Sequence, residues 1–239
     1  MKVGTDGTLL GAWAPVEQAQ NGTILDVGTG SGLIALMLAQ RCPEATILGI
    51  DADEAAALQA AENFALSKWS DRLTAKHISL QQLAQDETYS ASFDLIVSNP
   101  PYFVDSLKNP DATRRTARHT DSLSFAELLD CSQRLLKPNG TLALILPAEA
   151  EQTLLTLASQ RELSPYTITR VHTRTHKPAK RILLALQNSP PKVGGVPEGG
   201  GSMSDWVNKS LTTNTLILQD ESGTPRSAAY QNLCKDFYL

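Results

Sequence analysis

Thr23-Ile24-Leu25-Asp26-Val27-Gly28-Thr29-Gly30-Ser31-Gly32, running directly into Leu33–Arg41 (LIALMLAQR), decides the fold. The first five residues form a short, mostly apolar run that reads as a buried strand. Gly28 to Gly32 is a glycine-rich turn. LIALMLAQR is a helix, closed by Pro43 two residues later. The same alternation continues downstream. Thr46–Ile50 is a second strand, Glu54–Leu66 a helix rich in Ala, Leu, Gln and Glu, and Leu73–Leu80 a weak strand. Phe93–Ser98 is a strand that stops at Asn99-Pro100-Pro101. Ser124–Leu136 is a helix opened by a capping box, with Ser124 and Glu127 three apart. Lys137–Gly140 is a turn, Thr141–Leu146 a strand and Glu149–Arg161 a helix. Tyr166–His172 and Arg181–Leu186 are strands, followed by a strand at Thr215–Leu218 and a helix at Pro225–Phe237. Tyr230, Leu233 and Phe237 fall at helical spacing and read as core. Strands alternating with helices, and continuous rather than alternating apolar strands, predict an α/β fold with a mostly parallel, doubly wound sheet. Ligands of such sheets sit beyond the carboxyl ends of the strands. The two unusual loops, 28–32 and 99–102, both follow strands at that edge.

Glycines let the backbone turn sharply and let a ligand approach the main chain. N–H groups at the start of the next helix suit a carboxylate or phosphate. Asp51 ends the second strand, where an acidic side chain accepts from ribose hydroxyls; it equally suits a helix N-terminus. The combination calls for a nucleoside ligand. Nicotinamide sites usually read G-x-G-x-x-G, whereas this loop reads G-x-G-x-G behind an Asp. It resembles the S-adenosylmethionine loop of class I methyltransferases.

Asn99-Pro100-Pro101-Tyr102 carries the second signal. Two prolines fix the backbone and remove two N–H donors, so a neighbouring carbonyl is aimed outward. The Asn99 side chain adds another acceptor and Tyr102 a stacking face. Two acceptors and a platform suit a planar group bearing an exocyclic NH₂. Such a nitrogen is a poor nucleophile because its lone pair is delocalised into the ring. Hydrogen bonds from both of its N–H groups, to Asn99 and to the Pro100 carbonyl, favour a pyramidal nitrogen. They also stabilise the positive charge that builds during transfer. The chemistry requires no metal. The loop is typical of methyltransferases that act on amino groups conjugated to a ring or carbonyl: adenine-N6, some guanine-N2 and glutamine-amide enzymes.

Over nearly its whole length the chain resembles the bacterial tRNA1(Val) adenine-N6-methyltransferases. The carrying segments are Met1-Lys2-Val3-Gly4-Thr5-Asp6-Gly7 through Trp13, Asp26–Gly32, Asn99–Tyr102 and the closing Asp236-Phe237-Tyr238-Leu239. The opening segment and the tail distinguish this family from glutamine and guanine enzymes with similar loops. The resemblance implies one Rossmann-like class I methyltransferase domain over residues 1–239, with one antiparallel strand. It implies S-adenosyl-L-methionine as cofactor and adenosine 37 of tRNA1(Val) as substrate. Asp26, Gly28, Thr29, Gly30, Asp51, Ala52, Ser79 and Leu80 are the implied cofactor set; Asn99, Pro100, Pro101 and Tyr102 are the implied catalytic set. Two departures stand out. Met1 matches an internal methionine of the family, which implies a truncated chain or a misassigned start. Methyltransferases often carry an acidic residue after the third strand, and here Ser79 is the best match. It accepts without charge, so a modest cofactor affinity is expected.

Across 239 residues the net charge is −4, but it is uneven: 1–104 carry −7, 105–181 carry +4 and 182–239 carry −1. Two basic stretches make up the central excess. Arg114, Arg115, Arg118 and His119 follow the Asn-Pro-Pro-Tyr loop. Arg170, Arg174, Lys177, Lys180 and Arg181, with His172 and His176, lie between two late strands. With Arg114, Arg115, Arg118, His119, Lys177 and Arg181 as the leading candidates, these stretches are expected to contact RNA phosphates. The chain has no recognisable RNA-binding module, so its own surface would read tRNA shape. Asn188–Ser204 (NSPPKVGGVPEGGGSMS) reads as a flexible surface insertion. Cys42, Cys131 and Cys234 are far apart and in no C-x-x-C pair, and the histidines show no metal spacing. These features predict no metal site, a reducing cytoplasm and no membrane span; the sequence leaves the oligomeric state open, with a monomer favoured. Three rivals remain at this point: another amino-group methyltransferase, a non-catalytic RNA-binding module on the same fold, and a nicotinamide dehydrogenase.

Overall fold

The computed structural model describes residues 4–100, 123–188, 211–220 and 226–237. Within them the strands are β1 Thr23–Val27, β2 Thr46–Asp51, β3 Leu73–His77, β4 Phe93–Ser98, β5 Leu136–Pro147, β6 Leu163–His172, β7 Ala179–Asn188 and β8 Thr212–Ile217. They join in one sheet of order β3-β2-β1-β4-β5-β7-β6-β8. Parallel pairing runs from β3 through to β5, and β7 alone among the described strands runs antiparallel, to both β5 and β6. The sequence expectation of a mostly parallel sheet with one antiparallel strand holds.

The helices are α1 Thr5–Trp13, α2 Leu33–Arg41, α3 Glu54–Ala65, α4 Leu80–Gln85, α5 Phe125–Leu135, α6 Glu151–Ser159 and α7 Ala228–Cys234. They cover both faces because the central strands are apolar on both. On one face Leu9 and Leu10 of α1, Leu38 of α2 and Phe64 of α3 pack on Ile24, Ile47 and Leu95. On the other, Leu83, Leu128, Leu129 and Leu154 pack on Leu25, Ile50 and Ile96. Tyr230 is buried in the first core, with Leu233 and Phe237 partly buried against it. Among the described residues no helix is long and apolar enough to cross a membrane.

Four segments differ from the sequence reading. The sequence pattern marks no element in the opening segment, yet Thr5–Trp13 is a helix. Its polar and small residues conceal it, and it is held by Trp13 Nε1 donating to Thr169 Oγ1 at 2.9 Å and by an Arg181–Asp6 ion pair. The third strand ends at His77, not Leu80, because Ser79 caps a short helix. The Lys137–Gly140 turn exists, but as an excursion inside β5: Phe93 pairs with Leu136 and Leu95 with Thr141. Asn139 takes a positive φ of 64° there. The helix expected from Glu149 begins with a tighter turn at Ala148–Ala150. Of the Asn188–Ser204 insertion, only Asn188 lies within the described residues.

The strands end at different heights. Val27 is level with Ser98, Leu144, Leu184 and Ile168 across β1, β4, β5, β7 and β6. β5 continues three residues further, to Pro147 opposite Arg181. At a rise of ~3.3 Å per residue this adds about 10 Å of wall beside the end of β4.

Candidate functional site

The site is built where β1, β2 and β4 stop. After Val27 the N–H groups of Gly28 and Thr29 both donate to the Ile50 carbonyl, each at 2.9 Å, which folds the loop back over β2. Gly28, Gly30 and Gly32 all have positive φ, at 70°, 58° and 83°. At Gly28 an added Cβ would meet nothing within 4 Å, so this side of the loop faces open space.

Asp51 ends β2 and braces the loop. Its Oδ2 accepts from the Gly30 N–H at 2.9 Å, and its Oδ1 from the Asp53 N–H at 3.0 Å. Asp53 in turn caps α3 by accepting from the Ala55 N–H. A carboxylate offers about four acceptor sites, so Asp51 keeps capacity for a ligand. Ser79 caps α4 in a reciprocal box with Gln82. Its hydroxyl donates to Gln82 Oε1 at 3.0 Å and accepts from the Gln82 N–H. On the opposite side, Ser98 Oγ donates to the Val27 carbonyl at 2.9 Å and ties β4 to β1 just before Asn99.

These groups enclose a cleft of about 800 Å³, the size range of small-molecule sites. Gly28, Asp51, Ala52, Ser79, Leu80 and Pro100 from the expected sets line it. Asn99 lies between two lining residues, Ser98 and Pro100, and is half-buried. Ile50, Ile78 and Leu80 supply apolar walls, and Asp51, Asp53 and Glu127 supply negative charge.

Three members of the expected cofactor set are not on the lining. Asp26 is fully buried and faces α2. Its Oδ2 accepts from the Thr29 hydroxyl at 2.7 Å and the Ala35 N–H at 3.2 Å. Thr29 is thereby turned inward, and the Gly30 N–H is spent on Asp51. Position 26 alternates to the face shared with Ile24, so its carboxylate holds the loop from below. One N–H that the helix start was expected to offer a ligand, that of Ala35, is taken in the same way. Burial raises the Asp26 carboxyl to about 6, with Thr29 and Ala35 pulling it down and Asp51 adding to the rise.

Several lining residues escaped sequence reasoning. His77 meets the Ala52 carbonyl through Nε2 at 3.1 Å, and Gln81, Gln82, Leu123 and Glu127 complete the far wall. Glu127 was legible only as the partner of Ser124. The capping box does form, with the Ser124 N–H donating to Glu127 Oε2 at 2.9 Å, and it sets the start of α5 on the cleft.

The basic segment between β6 and β7 lies at the same edge, since His172 pairs with Ala179 there. Lys177 is exposed in it. Arg181 is instead engaged with Asp6 at 2.8 Å, and Arg170 pairs with Glu151. Pro101, Tyr102, Arg114, Arg115, Arg118 and His119 lie outside the described residues. Among the described residues no group of His, Cys, Asp and Glu is arranged to hold a metal ion.

The family model "Methyltransferase small domain" matches residues 8–157. A tRNA1(Val) (adenine(37)-N6)-methyltransferase of Parabacteroides distasonis is 51% identical over 190 residues, covering 80% of this chain and 78% of that protein. One of the same description from Pectobacterium carotovorum is 39% identical over 240 residues, covering 100% of this chain and 88% of that protein. Among solved structures, a predicted O-methyltransferase of Agrobacterium tumefaciens superposes with a TM-score of 0.71 at 16% identity, covering 97% of this chain and 96% of that one. A geranyl diphosphate methyltransferase with sinefungin bound superposes at 0.55 and 13% identity, covering 77% and 76%. At such identities the structural likeness speaks for the fold alone.

Proposed function

The chain belongs to the tRNA1(Val) (adenine(37)-N6)-methyltransferase family, and from that premise we propose that it methylates the N6 amine of an adenine in tRNA, at adenosine 37 of tRNA1(Val), using S-adenosyl-L-methionine. One observation carries the reading: Gly28 and Pro100 line a single cleft, because Val27 and Ser98 are paired neighbours at the ends of β1 and β4. The cofactor loop and the amine-binding corner therefore face one volume.

The residues present suit the cofactor. Gly28 leaves the main chain bare toward the cleft, Asp51 on the lining has acceptor capacity that suits ribose hydroxyls, and Ile50, Ile78 and Leu80 offer apolar surface that suits an adenine. When bound, the cofactor supplies an electrophilic methyl on a sulfonium. Asn99 and the Pro100 carbonyl accept the two hydrogens of the target amine and orient its lone pair. A stacking role for Tyr102, which lies outside the described residues, rests on the sequence alone. Because the transfer is an in-line displacement, this alignment supplies much of the acceleration. β5, paired with β7, runs three residues past the level of Ser98, beside the strand end that carries Asn99. The proton leaves the nitrogen after transfer, when it is acidic, so no dedicated base is needed.

To reach Asn99 the adenine must be turned out of its stack. Lys177, with Arg174 and Lys180, stands on the same edge as a contact for RNA phosphates; a like role for Arg114, Arg115, Arg118 and His119, outside the described residues, rests on the sequence alone. The cytoplasm, where tRNA is found, is the compartment this activity requires.

Incubation of the protein with labelled S-adenosyl-L-methionine and unmodified tRNA, followed by nucleoside analysis, tests the reading. N6-methyladenosine at position 37 is expected. Label in protein glutamine, or in guanosine, would replace the adenine assignment with that of another amino-group methyltransferase.

A further inference from the structure

We propose that the negative charge of Asp26, held beneath the glycine loop, discriminates the cationic methyl donor from its neutral product, which makes Asp26 a specificity-determining residue that never touches either. This rests on the cofactor proposed above. The donor carries a sulfonium that the product, S-adenosylhomocysteine, lacks; their ammonium and carboxylate groups are the same. A site that favours one over the other by charge needs a carboxylate near the loop, shielded from water.

Asp26 has that placement. It is fully buried, and its Oδ2 is occupied by the Thr29 hydroxyl and the Ala35 N–H. Its Oδ1 is buried and has no hydrogen-bond partner. An ionised carboxylate with one oxygen unsatisfied is costly to keep, and a purely structural clasp does not require it: the bonds to Thr29 and Ala35 use Oδ2 alone. A neutral amide would clasp equally well. What the carboxylate adds is charge, in a medium where screening is weak and charges act at a distance.

The surroundings leave that charge responsive. Across the sheet Asp26 pairs with Gly49 of β2 and Val97 of β4, and α2 meets it with the Ala35 N–H; none of these ionises. Asp51, at the end of β2, is the charged neighbour that acts on it, and it raises the carboxyl further after burial has done so. A cation in the cleft would favour the ionised form of Asp26, and its loss on methyl transfer would release that bias. Donor binding would thus expel a proton that product binding does not, and the product would leave more readily at neutral pH.

The test is equilibrium binding, by calorimetry, of S-adenosylmethionine, S-adenosylhomocysteine and sinefungin between pH 5 and pH 8. The two natural ligands share their other ionising groups, so the ratio of their affinities isolates the sulfonium. In the wild type the preference for the donor should grow about fivefold from pH 5 to pH 8, as for a carboxyl near 6 lowered by one unit when the donor binds. Sinefungin, whose added amine is cationic, should follow the donor. Asp26→Asn keeps an oxygen for Thr29 and Ala35 and should hold the low-pH ratio throughout. His77 also lines the cleft, so the comparison is repeated in His77→Gln, where the pH effect should persist. An affinity ratio that ignores pH in the wild type, or that keeps its pH dependence in Asp26→Asn, overturns the inference while leaving the proposed activity intact. Should Asp26→Asn fail to fold, the wild-type and His77→Gln profiles decide. A wild type that binds none of the three ligands overturns the cofactor assignment itself, and this inference with it.

Discussion

Asp26 and Asp94 are both carboxylates of the sheet, and their surroundings push them in opposite directions. For Asp94, burial raises the carboxyl, but Lys137 Nζ at 2.7 Å, the Thr23 N–H at 2.8 Å and the Thr23 hydroxyl together hold it below its ordinary value. A depressed folded-state pKa contributes stability that is present above the unfolded value and lost as pH falls through the folded one. Asp94→Ala should therefore cost about 1–3 kcal/mol at neutral pH, and this gap should narrow below about pH 4 in denaturant titrations. Asp26 is the reverse case. Its carboxyl is raised to about 6, so its ionised form opposes folding at neutral pH, and that cost disappears as pH falls toward the unfolded value. Between pH 8 and pH 4 the wild type should gain about 3 kcal/mol relative to Asp26→Asn, read from the same titrations. Stability and cofactor selection then pull apart at one residue. At Asn99 the argument concerns rate instead. Asn99→Ala should lower kcat about 10²–10³-fold, as removal of a transition-state hydrogen-bonding group does, while S-adenosylmethionine affinity stays within a few-fold. An unchanged kcat would remove Asn99 from the catalytic set.

At the scale of elements, the start of α2 is closely specified. Gly32 is its N-cap with φ at 83°, and a Cβ there would lie 2.4 Å from Phe64 Cε1 of α3. Gly32→Ala meets a backbone penalty of about 1–2 kcal/mol and a collision with a buried ring. We expect a fall in Tm together with at least tenfold weaker cofactor binding, since the loop cannot keep Gly28 and Gly30 in place once α2 shifts. The same element shows why parts of the chain were legible. TILDV, TLALIL and LIALMLAQR declare themselves because their composition and period leave one packing solution. Ser124 and Glu127 declare a helix start because capping is a local interaction. Thr5–Trp13 did not, since what holds it is distant in sequence: the Thr169 hydroxyl and Arg181. Ser79 was read as a strand residue because its capping partner, Gln82, lies past an apolar Leu80 that continues the strand pattern. In the site, the glycines, Asp51 and Pro100 were legible as a motif. The inward turn of Asp26 and Thr29 was not, because strand parity and the position of Ala35 decide it, and both are properties of the folded sheet.

On the scale of the whole molecule, the question is how a net negative protein addresses a polyanion. Acidic groups gather in the cleft, at Asp51, Asp53 and Glu127, where a cationic cofactor is to sit. Cations gather on the rim of the taller strands, where β6 passes into β7. Within that rim the ion pairs sort the residues. Arg170 is matched by Glu151 and Arg181 by Asp6, so both fasten elements together, α6 to β6 and α1 to β7. Arg174, Lys177 and Lys180 are exposed on the rim. RNA affinity falls with salt in proportion to the phosphates neutralised, so the two groups of cations should separate in one experiment. Lys177→Ala with Lys180→Ala should lower the slope of log affinity against log salt by roughly 1 to 2, with cofactor binding and Tm unchanged. Arg181→Ala should instead lower Tm and leave that slope nearly as it was, because the cation it removes is already balanced. A slope that falls with Arg181→Ala and not with the lysine pair would move the RNA path off the β6–β7 connection and onto the α1 side of the cleft.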